Sequence, residues 1–131
     1  MAVLGLGIDL VEVDRVRALL RRWPESFPRK VLSPGEREYC QGRAGMAASV
    51  AARFAAKEAA LKALGLGIGA CRWVEMEIEH SPSGAPRLRL KGQAAARAEA
   101  LGVERLAVSL SHSREYAVAC VLAEGREVAG P

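Results

Sequence analysis

One stretch limits the possible architectures of this chain more than any other. From Met46 to Leu64 it reads MAASVAARFAAKEAALKAL, rich in alanine, with Val50 as the only β-branched residue. Helix propensity is high along the whole run. Gly65, Gly67 and Gly69 end it and open a loop. A long helix is therefore expected at the centre of the fold. Phe54, Glu58 and Leu61 lie at i, i+4 and i+7 of that helix and share one face. A carboxylate within an apolar stripe is costly unless something pairs with it, so Glu58 needs a partner.

The segments around this helix read as follows. Residues 3–11, VLGLGIDLV, alternate as a strand, with Val3, Asp9 and Val11 on one face and Leu4, Leu6, Ile8 and Leu10 on the other. Residues 13–22 form a short helix with Val16, Leu19 and Leu20 on its apolar side. Pro24 and Pro28 break the chain after it. Ser33, Pro34 and Glu36 have the spacing of a helix start, and GRAGMA is a joint before the long helix. Beyond the glycines, RWVEMEIEH and RLRLK alternate as strands around the turn SPSGAP. GQAAARAEALG is a helix, and RLAVSLSH and EYAVACVLAE flank a tight hairpin at SR. The order βααα-ββ-α-ββ predicts an α+β fold, a single domain over 1–131, with an antiparallel sheet packed against the long helix.

Asp9 repeats the oddity of Glu58, as a carboxylate inside a run of Val, Leu and Ile. Each could be a partly exposed carboxylate or an internal ion pair with a nearby arginine. Alternatively, both could share a cation, since two carboxylates with waters and phosphate oxygens are a common Mg²⁺ arrangement. Lys62, four residues after Glu58, reads either as surface support for the helix or as a cation facing a phosphate. His112 reads as structural or as a phosphate or acid–base group.

The net charge is +4, and residues 13–30 hold six basic residues against Asp14 and Glu25. That segment is either a solvated face or a surface for an acidic partner. Aromatic residues are few, and no nucleic-acid motif is visible, so nucleic acid is not the expected partner. No apolar run has the length of a membrane span. The start MAVLGLGIDLVEVD has neither a basic lead nor a processing site, and a cytoplasmic protein is expected. Cys40, Cys71 and Cys120 are odd in number and far apart, so they are expected to be reduced thiols, mostly buried.

Six motifs in order carry a family resemblance. They are GIDLVEVDR at 7–15, FPRKVLSPGE at 27–36, ARFAAKEAALKALGLG at 52–67, W-x-x-x-E-I at 73–78, GAPRLRL at 84–90 and VSLSHSREYAVACV at 108–121. Together they resemble the small bacterial holo-acyl-carrier-protein synthases of the 4′-phosphopantetheinyl transferase superfamily. The resemblance implies transfer of 4′-phosphopantetheine from coenzyme A to a serine of acyl carrier protein, with Mg²⁺ held by Asp9 and Glu58. It also implies Lys62 near the pyrophosphate. Gly65, Gly67 and Ser111, with Arg53 and His112, would lie at the coenzyme A site. Arg15, and more loosely Arg22, Arg29 and Lys30, would meet the acidic carrier protein, and the enzyme would be a homotrimer with sites between subunits.

One position departs from the pattern. Many family members have histidine before VSLSH, where this chain has Ala107. That departure leaves open a catalytically weak binding protein on the same scaffold.

Overall fold

The structure is a computed structural model and describes residues 1–128. Strand β1 (Ala2–Glu12) leads into helices α1 (Val13–Arg22), α2 (Ser26–Val31), α3 (Pro34–Cys40) and the long α4 (Met46–Ala63). A 3₁₀ turn (Trp73–Glu75), β2 (Met76–His80), β3 (Pro86–Leu90), α5 (Gly92–Leu101), β4 (Val103–His112) and β5 (Tyr116–Gly125) follow. The strands form a three-stranded antiparallel sheet in the order β1-β5-β4 and a separate β2-β3 hairpin.

The sheet packs on α4, and small residues on both sides make that packing close. Ala55, Ala56, Ala59, Ala60 and Ala63 of α4 are buried, as are Ala117, Ala119, Val121 and Ala123 of β5. On β1 the facing residues are Gly5 and Gly7. A β-carbon at either one would lie 1.8 Å from a carbonyl oxygen of α4, that of Ala63 or of Ala59 respectively. Only glycine allows that approach. The α4 helix ends where the sequence predicts, with Gly65 left-handed at φ 68°.

Three details differ from the sequence reading. The segment broken at Pro24 and Pro28 contains a helix, α2, with Pro28 at its third position. The first turn of a helix has no intrahelical partner for its N–H groups, so proline costs little there. The strand expected from Arg72 begins only at Met76, because Glu75 turns inward and binds the start of α5. On β1, the register shift between Val3 and Gly5 leaves Val3 exposed rather than on the buried side with Val11. The row Leu6, Ile8 and Leu10 is exposed as well, on the sheet face away from α4. Of the cysteines, Cys40 is buried and Cys71 and Cys120 are half-buried, all with free thiols.

Candidate active site

The close β1–α4 contact determines what meets at the site. Gly7 seats β1 on the Ala59 carbonyl, and two residues on, Asp9 faces the same way toward α4. Glu58 precedes Ala59 on the helix. The two carboxylates line the same cavity, so the group that faces Glu58 is a second acid. Burial, then the Asp9 charge and the hydrogen bond with it, raise the Glu58 pKa above its ordinary value, while Lys62 and Arg15 pull it back. The Lys62 ammonium donates to the Ile8 carbonyl at 2.9 Å and to Asp9 Oδ1 at 3.1 Å. Thus Lys62 pairs with Asp9 across the interface, beyond the i,i+4 relation to Glu58 visible in sequence.

Asp9, Glu58 and Arg15 line one cavity of about 310 Å³, with Leu19, Phe54 and Tyr116 among its apolar walls. Two acids crowded together call for a proton or a cation between them. Among the described residues no cluster of three or more histidines, cysteines or carboxylates forms. A two-carboxylate site suits Mg²⁺, which is usually held by one or two carboxylates and keeps waters and phosphate oxygens for the rest. The chemistry of the pair therefore fits that ion.

The other residues singled out in sequence are distributed more widely. Arg22, Arg29 and Lys30 are exposed on α1 and α2. Lys30 rims a second cavity of about 440 Å³, whose walls include Leu19, Phe27, Phe54 and Trp73. The two cavities share Leu19 and Phe54 and so adjoin. Nothing in the sequence pattern marked this apolar cavity, because its residues come from α1, α2, α4 and the 3₁₀ turn. Arg53 is buried, donates to the Ser49 carbonyl at 3.2 Å and lies over the Tyr39 ring. Ser111 and His112 are exposed at the end of β4, and Gly65 and Gly67 lie in the loop after α4. None of these last five lines the Asp9–Glu58 cavity.

The model of the 4′-phosphopantetheinyl transferase superfamily matches residues 5–121. Among similar proteins, the holo-[acyl-carrier-protein] synthase of Syntrophus aciditrophicus is 49% identical over 122 residues, covering 92% of this chain and 95% of its own. Among solved structures, the holo-[acyl-carrier-protein] synthase of Neisseria meningitidis superposes with a TM-score of 0.85 at 31% identity, covering 94% of this chain and 99% of its own. The Helicobacter pylori holo-[acyl-carrier-protein] synthase, solved in complex with coenzyme A, gives 0.80 at 32% identity, covering 91% and 99%.

Proposed function

The chain belongs to the 4′-phosphopantetheinyl transferase superfamily, and we infer that it moves 4′-phosphopantetheine from coenzyme A to a serine hydroxyl of apo-acyl carrier protein, releasing 3′,5′-ADP. The observation that carries the site assignment is the carboxylate pair of Asp9 and Glu58 with Lys62 bound to it. Asp9 and Glu58 would hold Mg²⁺. When bound, that ion supplies charge neutralisation of the pyrophosphate and polarisation of the phosphorus under attack.

The residues of the chain do the remaining work. The serine oxygen forms a new bond to the β-phosphorus, and the bond from that phosphorus to the 3′,5′-ADP oxygen breaks. Glu58, or a water that it orients, accepts the serine proton. Lys62, half-exposed at the edge of the pair, moves to the departing phosphate and stabilises its charge. Gly65, Gly67, Arg53, Ser111 and His112 are assigned to coenzyme A through the resemblance. None of them lines the Asp9–Glu58 cavity; the exposed Gly65, Gly67, Ser111 and His112 suit a site completed by a neighbouring subunit, as in a homotrimer, whereas Arg53 is buried against Tyr39 of its own chain.

The exposed Leu6, Ile8 and Leu10 provide an apolar face for such an assembly. Arg15, Arg22, Arg29 and Lys30 form the surface for an acidic carrier protein, next to the apolar cavity under Lys30. Ala107, the departure from the family pattern, pairs with Leu122 in the sheet and lines neither cavity.

Glu58→Gln and Lys62→Ala test the scheme. Both variants should fold, and each should lower kcat by about 10²-fold or more. Wild-type transfer rates in both, with unchanged dependence on magnesium, would remove the pair from the mechanism.

A further inference from the structure

Lys57 stands beside Glu58 in sequence and points the opposite way, into the interior. Its side chain has no exposure, and neither has that of Glu36. The Lys57 ammonium donates to the Val31 carbonyl at 2.6 Å, to Glu36 Oε1 at 2.6 Å and to the Trp73 carbonyl at 3.1 Å. A lysine has three donors, and all three are satisfied. Glu36 accepts in addition from the Ser33 amide at 3.0 Å and the Ile78 amide at 3.1 Å. One ion pair thus ties α4 to the end of α2, the start of α3, the 3₁₀ turn and β2.

A buried pair of this kind adds little stability compared with apolar side chains of the same size. Its particular property is geometric. Val31 is the last residue of α2, the helix that carries Arg29 and Lys30. The carbonyl holding α2 in place is bonded to the residue adjacent to Glu58.

We propose that Lys57 is a positioning residue which, with Glu36, fixes the basic edge of α2 relative to Glu58, so that a carrier protein docked on that edge presents its serine at the transfer site. The proposal rests on the carrier-protein reading given above. It predicts a selective effect. Loosening the strut misplaces the docked acceptor and leaves coenzyme A binding intact.

The test replaces both charges at once, Lys57→Met with Glu36→Gln, because Lys57→Met alone strands a buried carboxylate. The double variant is expected to lower kcat/KM for apo-acyl carrier protein by about ten-fold or more, with the coenzyme A dissociation constant held within about two-fold. Leu90→Ala, a truncation of a half-buried β3 side chain that lines neither cavity, serves as the control for lost stability and is expected to keep wild-type kinetics. Wild-type kcat/KM in the double variant, or an equal kinetic loss in Leu90→Ala, overturns the proposal.

Amide exchange on the unmodified protein gives a second arm that needs no variant. The Leu32 amide, bonded to the Pro28 carbonyl at the end of α2, should be protected as strongly as that of Ile78. Exchange of Leu32 through a separate local opening, orders of magnitude faster, contradicts the strut. If the wild-type protein transfers nothing, the transfer reading fails on its own, and the exchange arm still decides whether Lys57 holds α2.

Discussion

Charged side chains in apolar surroundings do different jobs here, and burial together with partners separates them. Asp9 and Glu58 meet each other and crowd their charges, whereas Glu75 is surrounded by donors. The Arg72 amide, then those of Gln93 and Ala94, hold the Glu75 carboxyl below its ordinary value of 4.5, against the opposing effect of burial. The unfolded chain therefore binds this proton more readily than the folded one. The stabilisation is complete above the unfolded value and is lost as pH falls through the folded one. Glu75→Gln should cost about 1–3 kcal/mol at neutral pH, and the gap from wild type, measured by urea denaturation, should close in acid below the ordinary carboxylate range. A gap independent of pH would mean that the charge is not what binds those amides. Asp9 and Glu58 were legible in the sequence because each interrupts an apolar pattern. Lys57 and Glu36 were not, since buried charges 21 residues apart look in sequence like any solvated pair.

The elements fit together through close approach more than through bulk. The α4 helix was legible from alanine content and terminal glycines, and α3 from the Ser33–Glu36 capping box, which the structure forms with both reciprocal bonds. The role of Gly5 and Gly7 was not legible, because a glycine in a strand does not reveal which backbone it faces. Gly7→Ala should be severe. The added carbon would meet the Ala59 carbonyl at 1.8 Å, and the displacement of β1 should cost about 3 kcal/mol or more and separate Asp9 from Glu58. Gly67→Ala, with nothing within 4 Å, should leave the denaturation midpoint close to wild type. Equal midpoints for the two variants would contradict the close-packed interface. The α2 helix escaped the sequence reading for a related reason: proline rules forbid a helix interior but allow the first turn, and only the structure shows which turn Pro28 occupies.

For the molecule as a whole, the three-stranded sheet has one face on α4 and one face bare. Leu6, Ile8 and Leu10 are each about three-fifths exposed, and an apolar row of that kind on a sheet marks an interaction surface. Sedimentation at micromolar concentration should find the wild type assembled and Ile8→Lys shifted to smaller species with reduced transfer. A monomeric wild type with full activity would contradict the assembly reading. The central claim is the metal-dependent transfer itself, and intact-mass measurement of apo-acyl carrier protein incubated with this protein and coenzyme A tests it most directly. The expected result is a gain of one phosphopantetheinyl group with Mg²⁺, none with EDTA, and a greatly slowed gain with Glu58→Gln. No gain from a folded protein offered several carrier proteins, or a gain indifferent to EDTA and to Glu58→Gln, would contradict it.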